Sequence, residues 1–109
     1  MAEAAQQIIF NTCPDEDSAQ MVANRLVMEN LAACVNIVPG LTSIYKWDGE
    51  IQQGTELLLM IKTRDDLLNQ AMERIAELHP YELPEIISVP IDNGLQAYLD
   101  WIDNSTGKP

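Results

Sequence analysis

Four side chains in this sequence carry chemistry suited to a borderline-soft divalent cation: Cys13, the single histidine His79, and the carboxylates of Glu82 and Glu85. A thiolate, an imidazole and carboxylate oxygens together form a sensible ligand set for Cu(II) or Zn(II). Cys13 directly precedes Pro14-Asp15-Glu16-Asp17, a helix start whose positive end favours the thiolate. The spacing is not that of a zinc finger. A competing account gives His79 a local task, capping a helix end and bonded to a carbonyl. Glu82 and Glu85 bracket Leu83-Pro84, and paired carboxylates can move protons. No nucleophile, oxyanion hole or glycine-rich phosphate loop is legible beside them, so the residues argue against an enzyme.

These side chains lie far apart in the chain, so the fold must gather them. Residues 7–12 read as a short strand around Ile8-Ile9-Phe10. Asp15 caps a helix whose inward stripe is Ala19, Val22, Ala23 and Leu26, ending near Asn30. A β-hairpin follows: 34–38, a Pro39-Gly40 bend, 41–47, an Asp48-Gly49 turn and a return arm over 50–63. A second helix opens at Thr63 or Asp65, buries Leu68, Ala71, Met72, Ile75 and Leu78, and stops before Pro80. Residues 85–91 form a strand whose Pro90 belongs at a sheet edge. A last helix after Gly94 places Leu95, Tyr98, Leu99 and Ile102 on one face. Residues 1–6 read as a frayed terminus and 105–109 as a tail, leaving one domain over 7–104.

The order β-α-β-β-α-β plus a C-terminal helix is an α+β, ferredoxin-like split β-α-β sandwich with two helices on one sheet face. In that topology the end of the first strand, the start of the first helix and the end of the second helix share a rim. Cys13, His79, Glu82 and Glu85 gather there. Cys34 lies at the opposite rim as a small buried apolar residue, out of disulfide reach of Cys13.

The hairpin sets a second constraint. Its return arm would span roughly 45 Å, against a diameter of roughly 35 Å for a compact chain of this size. Unless Gly54 bends it back, it overhangs, carrying Ile44, Tyr45, Trp47 and Ile51. Leu57, Leu59 and Ile61 point to one sheet face, Leu58 and Met60 to the other. The second face needs cover, either from the C-terminal helix or a loop, or from a partner subunit. Burying two such side chains is worth roughly 3–6 kcal/mol. Tyr45 and Trp47 serve equally as oligomer anchors or as a ligand wall.

The 109 residues hold 17 acidic and 6 basic side chains, a formal charge of −11. That argues against nucleic acid and anionic membranes as partners. Lys46, Lys62 and Arg64 read mainly as partners for carboxylates. Two cysteines without an export signal or apolar span point to the cytoplasm.

Several stretches together resemble the CutA divalent-cation tolerance family. They are Thr12-Cys13-Pro14-Asp15-Glu16, Leu31-Ala32-Ala33-Cys34-Val35-Asn36-Ile37-Val38-Pro39-Gly40, Ser43-Ile44-Tyr45-Lys46-Trp47-Asp48-Gly49-Glu50-Ile51 and His79-Pro80-Tyr81-Glu82-Leu83-Pro84-Glu85-Ile86. The resemblance implies a tight homotrimer of ferredoxin-like subunits, non-enzymatic and linked to tolerance of copper and other divalent metals. It attributes copper binding in some members to a cysteine ending the first strand and a histidine near the end of the second helix. Asn11 stands at that cysteine's position here, with Cys13 two residues on, and of an adjacent histidine pair this chain has Leu78 and His79. The architecture is also similar to trimeric PII-like signalling proteins. That implies a small effector between subunits near Trp47, Glu56, Lys62 and Tyr81; a structural scaffold for a partner protein is the remaining reading.

Overall fold

The computed structural model describes residues 5–107. The chain runs β1 (Gln6–Cys13), α1 (Glu16–Met28), β2 (Cys34–Trp47), β3 (Glu50–Arg64), α2 (Leu68–Leu78), β4 (Ile86–Pro90) and α3 (Gln96–Asn104), with one 3-10 turn at Asp65–Leu67 leading into α2. The four strands form one sheet in the order β2-β3-β1-β4, every neighbouring pair antiparallel. The fold is therefore mixed α+β, with β3 and β1 at the centre of the sheet and β2 and β4 at its edges.

Strand register decides which side chains meet the helices. Ile9 pairs with Ile61, Asn11 with Leu59 and Cys13 with Leu57, so the odd-numbered residues of β1 and β3 share a face. Ala19, Val22, Ala23 and Leu26 of α1 and Ala71 and Ile75 of α2 close over them in one buried cluster. Asp15 caps α1 by accepting the Ser18 amide at 2.8 Å, with Glu16 and Asp17 in the first turn. Asn30 takes φ 61° just past the helix end, a conformation asparagine tolerates. Glu29 then ties α1 to α2, accepting from Arg74 at 2.8 Å and from Arg25 at 3.1 Å.

The hairpin turns at Asp48 and Gly49, both with positive φ (51° and 78°), which matches the twist of the two strands. A bulge between Val38 and Leu41, with Gly40 at φ 79°, shifts the register along β2. Beyond it the ribbon leaves the body of the sheet. β1 pairs with β3 only as far as Leu57, so residues 50–56 have β2 as their one neighbour. The molecule is accordingly elongated, 44 × 30 × 22 Å with a radius of gyration of 14.6 Å, against about 13 Å for a compact chain.

Several expected boundaries and orientations differ. The frayed segment assigned to residues 1–6 falls partly on residues 1–4, outside the described residues, but Gln6 is already in β1 and donates to Asp103 of α3 at 3.0 Å. The 105–109 tail is held down through Gly107; residues 108–109 lie outside the described residues. Thr106 is buried, Arg64 donates to its carbonyl at 3.2 Å, and the Gly107 amide donates to Asn30 at 2.8 Å. The last strand is shorter than 85–91, because Glu85 turns away to accept a side-chain bond through its carbonyl.

Of the four α3 residues assigned inward, only Ile102 is fully buried, whereas Leu95 is 76% exposed and Tyr98 is also exposed. Helix α3 contacts β1 and β3 and, at nine residues, is too short to cover the sheet face opposite α1 and α2. Ile87 and Val89 stay exposed there. Cys34 is half-buried on the same face rather than sealed in a core. It lies at the opposite end of the sheet from Cys13, and both thiols are free.

Leu59 has no exposed surface and lies within the helix-covered cluster. Leu59→Ala is expected to lower the unfolding free energy by about 2–5 kcal/mol, read from the shift in urea midpoint. Asp15→Ala should cost about 1 kcal/mol by removing the cap.

Candidate functional site

The topology brings the end of β1, the start of α1 and the end of α2 to one rim. His79 is the residue that ends α2, and its buried ring reaches Cys13, whose Sγ lies 3.7 Å from Nε2. The ring's other contacts define its state. Nε2 is 2.7 Å from the Thr12 carbonyl oxygen, and Nδ1 accepts the Tyr81 amide at 3.1 Å. A carbonyl can only accept and an amide can only donate, so the neutral tautomer with hydrogen on Nε2 satisfies both. The ring also packs on Tyr81, centroid to centroid 4.9 Å.

Cys13 is not the thiolate that a helix start would favour. Burial pushes its thiol up from 9.0 to about 11, and the nearby charges of Asp15 and Glu56 add to the effect. Removal from water here outweighs the helix end. The S–H instead points to Asn11 Oδ1 at 3.5 Å.

The four metal candidates thus lie along one rim, but in this arrangement they do not present a metal with a ready site. Both nitrogens of His79 are engaged by the backbone, the Cys13 thiol is buried and protonated, and Glu82 and Glu85 lie on the surface. Among the described residues, no three His, Cys, Asp or Glu side chains converge on one point.

A second feature adjoins the rim. The overhanging hairpin and residues 80–85 enclose a groove of about 990 Å³. Tyr45, Trp47 and Tyr81 supply aromatic walls; Glu56, Glu82 and Glu85 supply carboxylates. At its base, Tyr81 Oη donates to Glu56 Oε2 at 3.0 Å, and Glu56 is only 9% exposed. Partial burial, then the bond to Glu56 and its charge, push the Tyr81 phenol up to about 12. Of the four residues expected at a cleft between subunits, Trp47, Glu56 and Tyr81 come together within one chain, and Lys62 lies apart from them. Lys62 pairs with Cys34 and Ile8, six residues and about 20 Å further along β3. Of the interface candidates, Ile44, Tyr45, Trp47 and Ile51 are exposed on the ribbon, while Leu58 and Met60 are half-buried on the sheet.

Asn11 has a role its sequence position did not suggest. It is fully buried, donates from Nδ2 to the Glu85 carbonyl at 2.8 Å and accepts the Cys13 thiol. It fastens residues 80–85 to β1, as His79 does through the Thr12 carbonyl and the Tyr81 amide. The available signal was an amide placed in the inward register of an otherwise apolar strand.

The raised thiol value carries a pH dependence. The folded value lies above the unfolded one, so the stabilisation is fully present below pH 9 and is lost as pH rises through 11, by at most about 2–3 kcal/mol. Urea midpoints should fall across that window, and the fall should be shallower in Cys13→Ala; identical slopes would contradict the buried thiol.

Comparison with known proteins supplies the family. A profile described as CutA1 divalent ion tolerance protein matches residues 7–105. The divalent-cation tolerance protein CutA of Thermus thermophilus is 49% identical over 102 residues, covering 94% of this chain and 99% of that one. The chloroplastic protein CutA of Arabidopsis thaliana is 46% identical over 99 residues, 91% of this chain but 54% of its own length; this chain spans about half of that relative. The crystal structure of CutA from Xylella fastidiosa superposes with a TM-score of 0.93 at 44% identity, covering 95% of this chain and all of that one. With the profile spanning nearly the whole chain and the fold shared at this identity, the chain belongs to the CutA1 divalent ion tolerance family.

Proposed function

We propose that the protein is a non-enzymatic homotrimer serving divalent-cation tolerance in the cytoplasm, each subunit a ferredoxin-like split β-α-β sandwich. The observation that carries the quaternary part is the ribbon over residues 41–56, whose return arm pairs with β2 alone and which bears the exposed Ile44, Tyr45, Trp47 and Ile51. Such an edge invites a neighbouring sheet, and the family resemblance supplies the number three. The rim and groove hold no nucleophile beside a base in a form ready for catalysis, because Cys13 is buried and protonated. The Thermus thermophilus relative carries a tolerance name, and the Arabidopsis thaliana relative is described as chloroplastic, so compartments differ within the family.

The metal part of the proposal is that Cu(II) or another divalent cation binds through Cys13 and His79, with Glu82 or Glu85 completing the set. Capture there requires His79 to release the Tyr81 amide or the Thr12 carbonyl. Calorimetric titration with Cu(II) should show binding at least tenfold weaker in His79→Ala than in the parent protein. Equal binding in both would remove this site.

A second reading is favoured by the groove itself. A PII-like role would place a small effector against Trp47, Glu56 and Tyr81, in a space of the size that small-molecule sites occupy.

A further inference from the structure

We propose that Asn93 is a site of spontaneous covalent modification: the Gly94 backbone nitrogen displaces the side-chain amide, ammonia leaves, and an isoaspartyl linkage is left at the entry to α3.

Asn93-Gly94 is the only asparagine–glycine pair in the chain. It lies within residues 91–95, which form neither helix nor strand, and both residues are exposed. The reacting groups are already together, because the Gly94 amide donates to Asn93 Oδ1 at 3.0 Å. The carbon to be attacked, Cγ, is one covalent bond from that oxygen. Rotation about Cβ–Cγ, a broad torsion in asparagine, turns the carbonyl face toward the nitrogen. No ladder has to open first: among the described residues, the Gly94 amide donates to no backbone carbonyl.

Glycine matters here for two reasons. Without a β-carbon it leaves the nitrogen unshielded and lets φ follow the ring as it closes. The fold also favours it, since a β-carbon at 94 would stand only 3.3 Å from Leu99 Cδ2. The remaining asparagines lack this freedom. Asn11, Asn24, Asn36, Asn69 and Asn104 lie in strands or helices, where the backbone is fixed by its hydrogen bonds. Asn30 precedes the buried Leu31, whose amide is held by the Leu26 carbonyl at 2.9 Å.

The site is remote from the ribbon. β4 runs from Ile86, opposite Asn11, to Pro90, opposite Gln7, so residues 91–95 leave the sheet at the end away from Cys13 and the hairpin tip. The Ile91 amide donates to the Gln6 carbonyl at 3.0 Å, and Gln6 also donates to Asp103 of α3 at 3.0 Å. Residues 92–95 thus bridge two fixed points. Leu95 caps α3 without a side-chain bond, so the backbone of this bridge sets the helix entry.

The chemistry balances with water alone. Gly94 N gives its proton to solvent base and bonds to Asn93 Cγ. The Cγ–Nδ2 bond breaks, and Nδ2 takes a proton from water and leaves as ammonia. Water then opens the five-membered imide at either carbonyl–nitrogen bond. One opening gives aspartate; the other gives isoaspartate, with the chain routed through Cβ and Cγ and lengthened by one methylene. One water is consumed, one ammonia is released, and no atom changes oxidation state. Either product adds one negative charge.

The test is incubation of the purified oligomer in heavy-oxygen water at mildly alkaline pH and physiological temperature, followed by peptide mapping with mass spectrometry. Residue 93 should gain label at least tenfold faster than any other asparagine, as a mixture of isoaspartate and aspartate, and faster as pH rises. Asn93→Gln should abolish this labelling, because a six-membered ring closes far more slowly, and should leave the thermal midpoint unchanged because the side chain is exposed. Gly94→Ala should slow labelling at Asn93 at least tenfold. Should that variant misfold, the isoaspartate content of the parent protein decides, since direct hydrolysis without the imide yields aspartate alone. Aspartate without isoaspartate, a rate unchanged in a folded Gly94→Ala variant, or an Asn93 that reacts in the urea-unfolded chain but stays intact in the oligomer overturns the proposal.

Discussion

The rest of the structure depends on where β1 stops. Its pairing with β3 ends at Leu57, yet β3 begins at Glu50. The intervening length is a two-stranded ribbon, and such ribbons are marginal in water without a third strand or an apolar surface to rest on. The bulge and Gly40 bend β2 at the start of this region, which increases twist and aims the ribbon away from the sheet. The Tyr81–Glu56 bond braces its base. Nothing comparable braces its tip, where Trp47 and Ile51 are among the more exposed large apolar side chains. The groove and the proposed trimer are two consequences of one shortfall in strand pairing.

The rim below the ribbon is organised by the opposite requirement, that buried polar groups be satisfied. Residues 80–85 have no regular structure to occupy their backbone groups. His79 takes the Tyr81 amide, Asn11 takes the Glu85 carbonyl, and Thr12 closes the set through His79. This arrangement works only with a neutral imidazole and a neutral thiol. The same contacts that hold the groove's floor in place thus keep the histidine from offering a lone pair, and metal capture and groove integrity compete for one side chain.

Much of this was legible from residue types. The Asp48-Gly49 turn, the Asp15 cap, the stripe Ala19, Val22, Ala23 and Leu26 and the gathering of Cys13 with His79 follow from local propensity, periodicity and crossover handedness, which act over short range or through few alternatives. Reactivity at Cys13 was not legible, because the helix start and Asp15 are visible in sequence while the burial that dominates comes from the core and Glu56 from β3. Lys62 illustrates a second limit. It was placed with Glu56 at a cleft between subunits, and the single chain sets the two six residues apart on β3, so their meeting turns on how subunits pack. For α3, spacing identified the helix correctly but not how little sheet nine residues can cover, so Leu95 and Tyr98 remained outside. Asn11 shows a third: a lone buried amide announces its importance only when the carbonyl it must satisfy is in place.

The central claim, that the ribbon is incomplete within one chain, is tested most directly by sedimentation velocity of the purified protein at micromolar concentration, with folding verified by circular dichroism. The account requires a single species with the mass of three chains. A well-folded species with the mass of one chain would contradict it.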